Sequence, residues 1–112
     1  MFRHAKNFNN DISSWNVSAV DTMKSMFWDA AVFNSDISSW DVSAVQEMYF
    51  MFYKALVFNN DISSWDVSSV MTMESMFDGA EQFEQKICEW NLENKLYKNM
   101  FQDSQCIEVE CV

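Results

Sequence analysis

A repeat of about 25 residues constrains this chain more than any other feature of its sequence. It begins at Phe8, Phe33 and Phe58, where the chain reads FNNDISSWNVSAV, FNSDISSWDVSAV and FNNDISSWDVSSV. A fixed period of this length is typical of proteins in which each unit buries its apolar face against the next unit. We therefore predict that residues 1–112 form a single repeat domain.

The copies of the repeat divide the chain into five parts. They are a partial repeat over residues 1–7, full repeats over 8–32, 33–57 and 58–82, and a degraded capping repeat over 83–112. In the degraded copy, Lys86 replaces the aspartate of the other copies. Met1 and Phe2 match Met26 and Phe27 in register, so the chain opens within a repeat. We expect about four units stacked in a short solenoid.

Two local patterns predict the secondary structure of each unit. In the second half of the first repeat, the apolar residues are spaced by three and four positions, as on one face of a helix: Val20, Met23, Met26, Phe27 and Ala30. The first half, residues 11–17, suits a short strand with a bend near Trp15. A helix of about ten residues and a strand of about five have similar lengths. The sequence therefore predicts an α/β solenoid, with one short parallel strand and one short helix in each repeat.

The corners of such a unit need residues that form turns, yet the chain has one glycine and no proline. Asparagine and aspartate also form turns, because their side chains accept hydrogen bonds from nearby backbone groups. Asn9, Asp11 and Asn16 lie at the expected corners of the first repeat. We predict that these side chains turn the backbone.

The repeat F-N-x-D-I-S-x-W-D-V-S-x-V-x-x-M-x-x-M-F-x-x-A resembles that of the DUF285 or BspA-like family of bacterial surface proteins, which is related to leucine-rich repeats. The similarity extends from Met1 to about Trp90. It implies a right-handed, leucine-rich-repeat-like solenoid in an exported or cell-surface protein with adhesion or interaction roles. It supplies no catalytic residues.

Tryptophan recurs in register in the three full repeats and in the degraded one, and methionine recurs in the three full repeats. Trp15, Trp40, Trp65 and Trp90 each lie one full repeat after the previous one. Exposed, they would form a platform for sugar rings, but their apolar neighbours favour a buried ladder. The methionines at the positions of Met23 and Met26 are interpreted as core side chains, because methionine fills irregular gaps between packed layers.

Asp11, Asp36 and Asp61 form the most distinctive polar series. Carboxylates repeated at this spacing repel one another unless a partner compensates their charge. The partner is either Ca²⁺ or backbone N–H groups at the corner. We predict no metal and no other cofactor, and these three residues are the weak candidates for a calcium site.

The residues for catalysis and for covalent crosslinking are few. His4 is the single histidine, and no nucleophile is predicted beside it, so we expect no enzymatic activity. Cys88, Cys106 and Cys111 are confined to the last repeat, where two of the three could form a disulfide. Such a bond would fit an oxidising compartment, and the alternative is a fully reduced intracellular set of three cysteines.

Aromatic and aliphatic residues break the repeat at polar positions of the first two units. They are Trp28, Tyr49, Phe50, Tyr53 and Leu56. Apolar residues grouped on the surface of a small acidic protein mark a contact surface. We predict that they bind another protein or a neighbouring subunit. The first unit also lacks a polar cap, so we expect either that the natural chain continues upstream or that the open face docks on a neighbour in end-to-end self-association.

Charge and hydropathy limit the remaining classes of partner. The net charge of −10 disfavours nucleic acid, and no stretch of about 18 apolar residues predicts membrane insertion. We therefore expect a non-catalytic structural or protein-interaction module of a surface protein, a secreted protein or a larger assembly. The alternative is a carbohydrate-binding or calcium-stabilised adhesin fragment. The extracellular or cell-surface location follows from the family resemblance alone.

Overall fold

Tight turns recur along the backbone of this protein. A computed structural model describes residues 2–85, 87 and 90–102, and it contains neither a helix nor a strand within them. Three isolated parallel bridges join successive repeats: Thr22 to Glu47, Glu47 to Thr72, and Thr72 to Leu96. No helix in these ranges is long and apolar enough to cross a membrane.

The predicted α/β solenoid, a leucine-rich-repeat-like coil with a strand and a helix in each repeat, is therefore wrong. The segment predicted as a helix forms three consecutive turns. The backbone N–H groups of Met26, Trp28 and Ala30 each donate to the carbonyl three residues earlier, at 3.1–3.2 Å. These turns bury side chains spaced by three and four positions, as a helix would. The chain has a radius of gyration of 12.6 Å, close to the roughly 13 Å of a compact globule of this length.

The N–H groups between these turns explain why a helix does not form. Ser25, Phe27 and Asp29 donate to carbonyls of the next repeat, at 2.7–3.0 Å. The acceptors are Tyr49, Met51 and Tyr53. In a helix, each of these N–H and carbonyl groups would form a hydrogen bond within its own repeat. The turns leave alternate groups free to join one repeat to the next, so long-range hydrogen bonds replace the local ones.

Left-handed residues make these turns possible. Two series have positive φ: Ser25, Phe50, Ser75 and Asn99, and His4, Asp29, Lys54 and Gly79. A positive φ at the third turn position is the signature of a type II turn. This conformation costs a non-glycine residue about 1–2 kcal/mol. The single glycine of the chain occupies it at φ 76°, whereas the other repeats place side chains there.

The predicted strand over residues 11–17 is also replaced by turns. The Asp11 carboxylate accepts hydrogen bonds from the N–H and the hydroxyl of Ser13, at 2.9 and 2.7 Å. The Trp15 N–H then donates to the Ile12 carbonyl at 3.1 Å. Asn16 accepts the same pair of bonds from Ser18. The prediction that Asp11 and Asn16 turn the backbone is confirmed, but two such turns leave no room for a strand.

Phenylalanine rings form the centre of the core. Two rows of rings run through the repeats, Phe2, Phe27, Phe52, Phe77 and Phe101 in one row and Phe8, Phe33, Phe58 and Phe83 in the other. Within a row the centroids are 5.5–5.9 Å apart. Between the rows the rings stack at 3.9–4.1 Å. This lattice gives successive repeats a fixed register.

The tryptophan ladder is buried in three of its four positions. Trp40, Trp65 and Trp90 are 4–6% exposed, whereas Trp15 is 42% exposed. The indole N–H of Trp40 donates to the Ile12 carbonyl at 3.0 Å, and Trp65 repeats this bond one unit later. The core prediction is therefore confirmed for three tryptophans and wrong for Trp15.

Candidate functional site

Four of the five residues predicted for the contact surface lie together. We call Trp28, Tyr49, Phe50 and Tyr53 the aromatic cluster. The Trp28 ring is 5.1 Å from Phe50 and 4.9 Å from Tyr53, and Phe50 is 5.4 Å from Tyr53. Tyr49 joins through Phe50 at 5.9 Å. All four side chains are partly exposed, so the cluster presents aromatic surface to solvent.

Turns, and not a helix face, bring the cluster together. Tyr49 and Phe50 are the central residues of the turn closed by the Met51 N–H and the Met48 carbonyl at 3.1 Å. Phe50 has a φ of 58° and stands where Ser25 and Ser75 stand in the neighbouring repeats. The helix predicted for this half of each repeat is therefore wrong here too, and Tyr49 and Tyr53 share a surface because both contact Phe50.

Leu56, the fifth predicted residue, follows Tyr53 by three positions in the chain. It is 39% exposed, and Val32 and Val57 are exposed to 44% and 40%. These three aliphatic residues belong to the turns that follow Ala30 and Ala55, closed by the N–H groups of Phe33 and Phe58. The exposed aliphatic residues of this segment thus fall in the same two repeats as the aromatic cluster.

Two cations contact rings of the cluster. The guanidinium carbon of Arg3 lies 4.1 Å from the centroid of the Trp28 ring, and Lys54 Nζ lies 5.3 Å from that of Tyr53. A cation over an exposed aromatic ring contributes about 0.5–1 kcal/mol. Arg3 was not among the residues predicted for this surface. Its position one full repeat before Trp28 was the signal in the sequence, because it places both residues in one series.

His4 and Lys6 share one carboxylate beside the cluster. His4 Nδ1 lies 3.1 Å from Asp29 Oδ2, and Lys6 Nζ lies 3.7 Å from the same oxygen. The hydrogen bond with His4 lowers the pKa of Asp29, and the charge of Lys6 lowers it further. The His4 ring is 6.1 Å from Trp28. The histidine therefore packs at the border of the aromatic surface.

The three weak candidates for a calcium site act as turn residues. Asp11, Asp36 and Asp61 each accept bonds from the N–H and hydroxyl of the serine two positions later, at 2.7–3.0 Å. The serine hydroxyl, followed by its N–H, lowers the pKa of each carboxyl. Within the described ranges, no three His, Cys, Asp or Glu residues are grouped as metal ligands.

An asparagine ladder lies beside these turns. The amide oxygens of Asn9, Asn34 and Asn59 accept the backbone N–H of the next repeat, at 2.7, 2.8 and 3.0 Å. The donors are Asn34, Asn59 and Glu84. Each asparagine therefore links two repeats, a role that the turn prediction for Asn9 did not include.

The open face of the first repeat contains a cavity of about 160 Å³. Its apolar lining comes from Val17, Val20, Met23 and Met26. Val20 and Met26 are partly exposed, whereas their counterparts one repeat later, Val45 and Met51, are fully buried. This is the face on which the sequence predicts end-to-end association.

The predicted disulfide lies outside the described residues, since it involves Cys88, Cys106 and Cys111.

Comparison with known proteins identifies the family. The family model described as "Mycoplasma protein of unknown function, DUF285" matches residues 1–111. No significant match was found among curated proteins or among solved structures. The matched range spans the aromatic cluster, the asparagine ladder and all the described turns. The chain therefore belongs to the DUF285 family.

Proposed function

We propose that this chain is a non-catalytic structural and protein-interaction module whose aromatic cluster binds another protein chain. We place it in a surface or secreted protein, or in a larger assembly. The observation that carries the proposal is the contact between Trp28, Phe50 and Tyr53, which keeps three aromatic rings together at the surface. Clusters of this composition supply most of the binding energy in protein interfaces.

The backbone beneath the cluster supports the same function. The N–H groups of Asp29 and Phe50 donate to carbonyls of the following repeats, at 2.7 and 3.0 Å. Hydrogen bonds of this kind hold the rings in place before a partner arrives. A preformed surface loses less conformational entropy on binding, so more of its contact energy appears as affinity.

Site-specific photocrosslinking tests this proposal. A photoreactive phenylalanine analogue would replace Tyr53, and a matched variant would carry it at Ser64, an exposed residue outside the cluster. In an extract of the source cells, we expect protein adducts from position 53 and not from position 64. Equal labelling from both positions would refute the proposal.

A glycan array with both variants distinguishes protein binding from the alternative function, which is carbohydrate binding. A carbohydrate-binding module would retain glycans on the array, and substitution of Tyr53 would remove that binding. We expect no glycan to be retained at the protein concentration that yields adducts. Glycan binding that depends on Tyr53 would replace the protein partner with a carbohydrate.

A further inference from the structure

Four residues at the same position of successive repeats form a series along the molecule. In several of these series, the side chains change from polar to apolar and back to polar in the same order. Two of them run from a basic residue, through two less polar residues, to an acidic one. They are Arg3, Trp28, Tyr53 and Asp78, and Lys6, Ala31, Leu56 and Glu81. A third series, Asn7, Val32, Val57 and Gln82, has the same apolar middle between polar ends.

Contacts place the first two of these series in one region of the surface. Arg3 lies over Trp28, and Trp28 packs against Tyr53, so consecutive members of the first series touch. Backbone bonds continue the register, because the Lys54 N–H donates to the Asp78 carbonyl at 2.9 Å. Lys6 lies 3.7 Å from Asp29, which places the second series beside the first. We call this region the graded face.

The charge of the chain changes in the same direction, from basic in the partial repeat at its start to acidic in the later repeats. Residues 1–7 carry Arg3 and Lys6 and no acidic side chain, whereas residues 58–82 carry five acidic side chains and no basic one. The graded face is therefore basic at one end, apolar in its middle and acidic at the other end. Such a face complements itself when one of two copies is reversed along the series.

We propose that a second copy of this chain binds the graded face in a two-fold symmetric dimer. The axis lies in the interface, across the series, between Trp28 and Tyr53. Arg3 of each copy then faces Asp78 of the other, and Lys6 faces Glu81. Trp28 meets Tyr53 at the centre, with Ala31 facing Leu56 beside them. An interface of this kind uses the same patch on both copies, which is what two-fold symmetry requires.

The size of the molecule permits such a contact. A stable interface buries about 800 Å² on each partner. The accessible surface of the chain is 6100 Å², so the dimer would cover about an eighth of it. The middle of the face supplies the apolar contact and its ends fix the orientation. Because Arg3, Lys6 and Glu81 at the ends of the face are exposed, the affinity is expected to fall as salt screens their charges.

Charge reversal in the full chain tests the proposal. Lys6→Glu places two acidic ends opposite each other, and Glu81→Lys places two basic ends opposite each other. By sedimentation equilibrium, we expect each substitution to weaken dimerisation about tenfold, since a two-fold dimer contains each pair twice. The chain that carries both substitutions restores the pairing and recovers the dimer. Lys98→Glu and Glu84→Lys are controls with the same changes in net charge outside the graded face.

Recovery in the double variant is the decisive result, because loss of folding could not produce it. A wild-type chain that stays monomeric at millimolar concentration would overturn the proposal. So would a dimer that neither reversal weakens, or one that the double variant fails to restore. The dimer rests on the proposed function. If position 53 crosslinks to a different protein while the chain stays monomeric, the dimer fails and the interaction module stands.

Discussion

The guanidinium group of Arg3 covers the ring of Trp28, the residue at the same position of the next repeat, at 4.1 Å from its centroid. Trp28 in turn meets Tyr53, one repeat further on, at 4.9 Å. The backbone supports this column, because the His4 N–H donates to the Trp28 carbonyl at 2.7 Å. A basic residue and two aromatic residues are thus held in line at the surface by the pairing of three successive repeats.

Removing the cation from this column should lower stability slightly. We expect Arg3→Ala to reduce the free energy of unfolding by about 0.5–1 kcal/mol, the contribution of a cation over an exposed ring. Lys98→Ala, which removes an exposed cation elsewhere, should change it by less. Urea denaturation followed by circular dichroism measures both values. Equal effects of the two substitutions would contradict a specific interaction between Arg3 and Trp28.

The left-handed backbone conformation of Lys54 predicts that glycine at this position relieves backbone strain. Lys54 has a φ of 58° in the series in which Gly79 has a φ of 76°. Compared with Lys54→Ala, which loses the same contact with the Tyr53 ring, Lys54→Gly should raise the free energy of unfolding by about 0.5–1 kcal/mol, because relief of about 1–2 kcal/mol of strain exceeds the entropic cost of glycine. Lys24→Gly, at a position outside the left-handed series, should instead lower it. Thermal denaturation would show the opposite signs. If glycine is less stable than alanine at both positions, the left-handed conformation of Lys54 carries little strain.

The asparagine ladder predicts a selective effect of amide removal. Asn34 accepts the Asn59 N–H at 2.8 Å and the Asn60 side-chain amide at 3.3 Å. Asn34→Ala should cost about 0.5–1.5 kcal/mol, the net value of a typical hydrogen bond. Asn34→Asp keeps an acceptor oxygen and should retain most of the stability. Chemical denaturation compares the three chains. If aspartate destabilises as much as alanine does, the amide oxygen is not the essential group.

The serine turns predict how the protein responds to acid. The Ser63 hydroxyl and N–H lower the pKa of Asp61 below its ordinary value of 3.8. A lowered folded-state pKa means that the ionised carboxylate stabilises the fold above pH 3.8, and this contribution disappears as the pH falls through the lowered pKa. The same direction holds for Asp11, Asp36, Asp41 and Asp66. Stability should therefore decrease below about pH 4.

Substitution of one serine isolates this effect. Ser63→Ala removes the largest cause of the lowered pKa, so the pKa of Asp61 should rise toward its ordinary value. Ser64→Ala, one residue further on, is the matched control and should leave it unchanged. Carboxyl chemical shifts followed by NMR over a pH titration give the pKa in each variant. An unchanged pKa in the Ser63 variant would exclude the hydroxyl as its cause.

Much of this arrangement was visible in the repeat itself. The period of the sequence recurs in the Trp28–Tyr53 contact and in the asparagine ladder. The prediction that Trp28, Phe50 and Tyr53 share a surface matches their ring contacts. Repeated positions predict neighbours because residues in register lie beside one another in successive units. Arg3 could have been predicted as part of the same surface, because it lies one full repeat before Trp28.

The sequence by itself determined which residues recur in register and most of the recurring apolar side chains that form the core, with Trp15 as an exception. Only the tertiary structure decided that turns, and not a helix and a strand, connect them. Spacings of three and four are compatible with a helix and with consecutive turns, so side-chain burial does not distinguish the two. The choice lies in the backbone, where Ser25, Phe27 and Asp29 donate to the next repeat. Those hydrogen bonds need a second repeat beside the first, and they help to offset the cost of the left-handed residues that a helix would not contain.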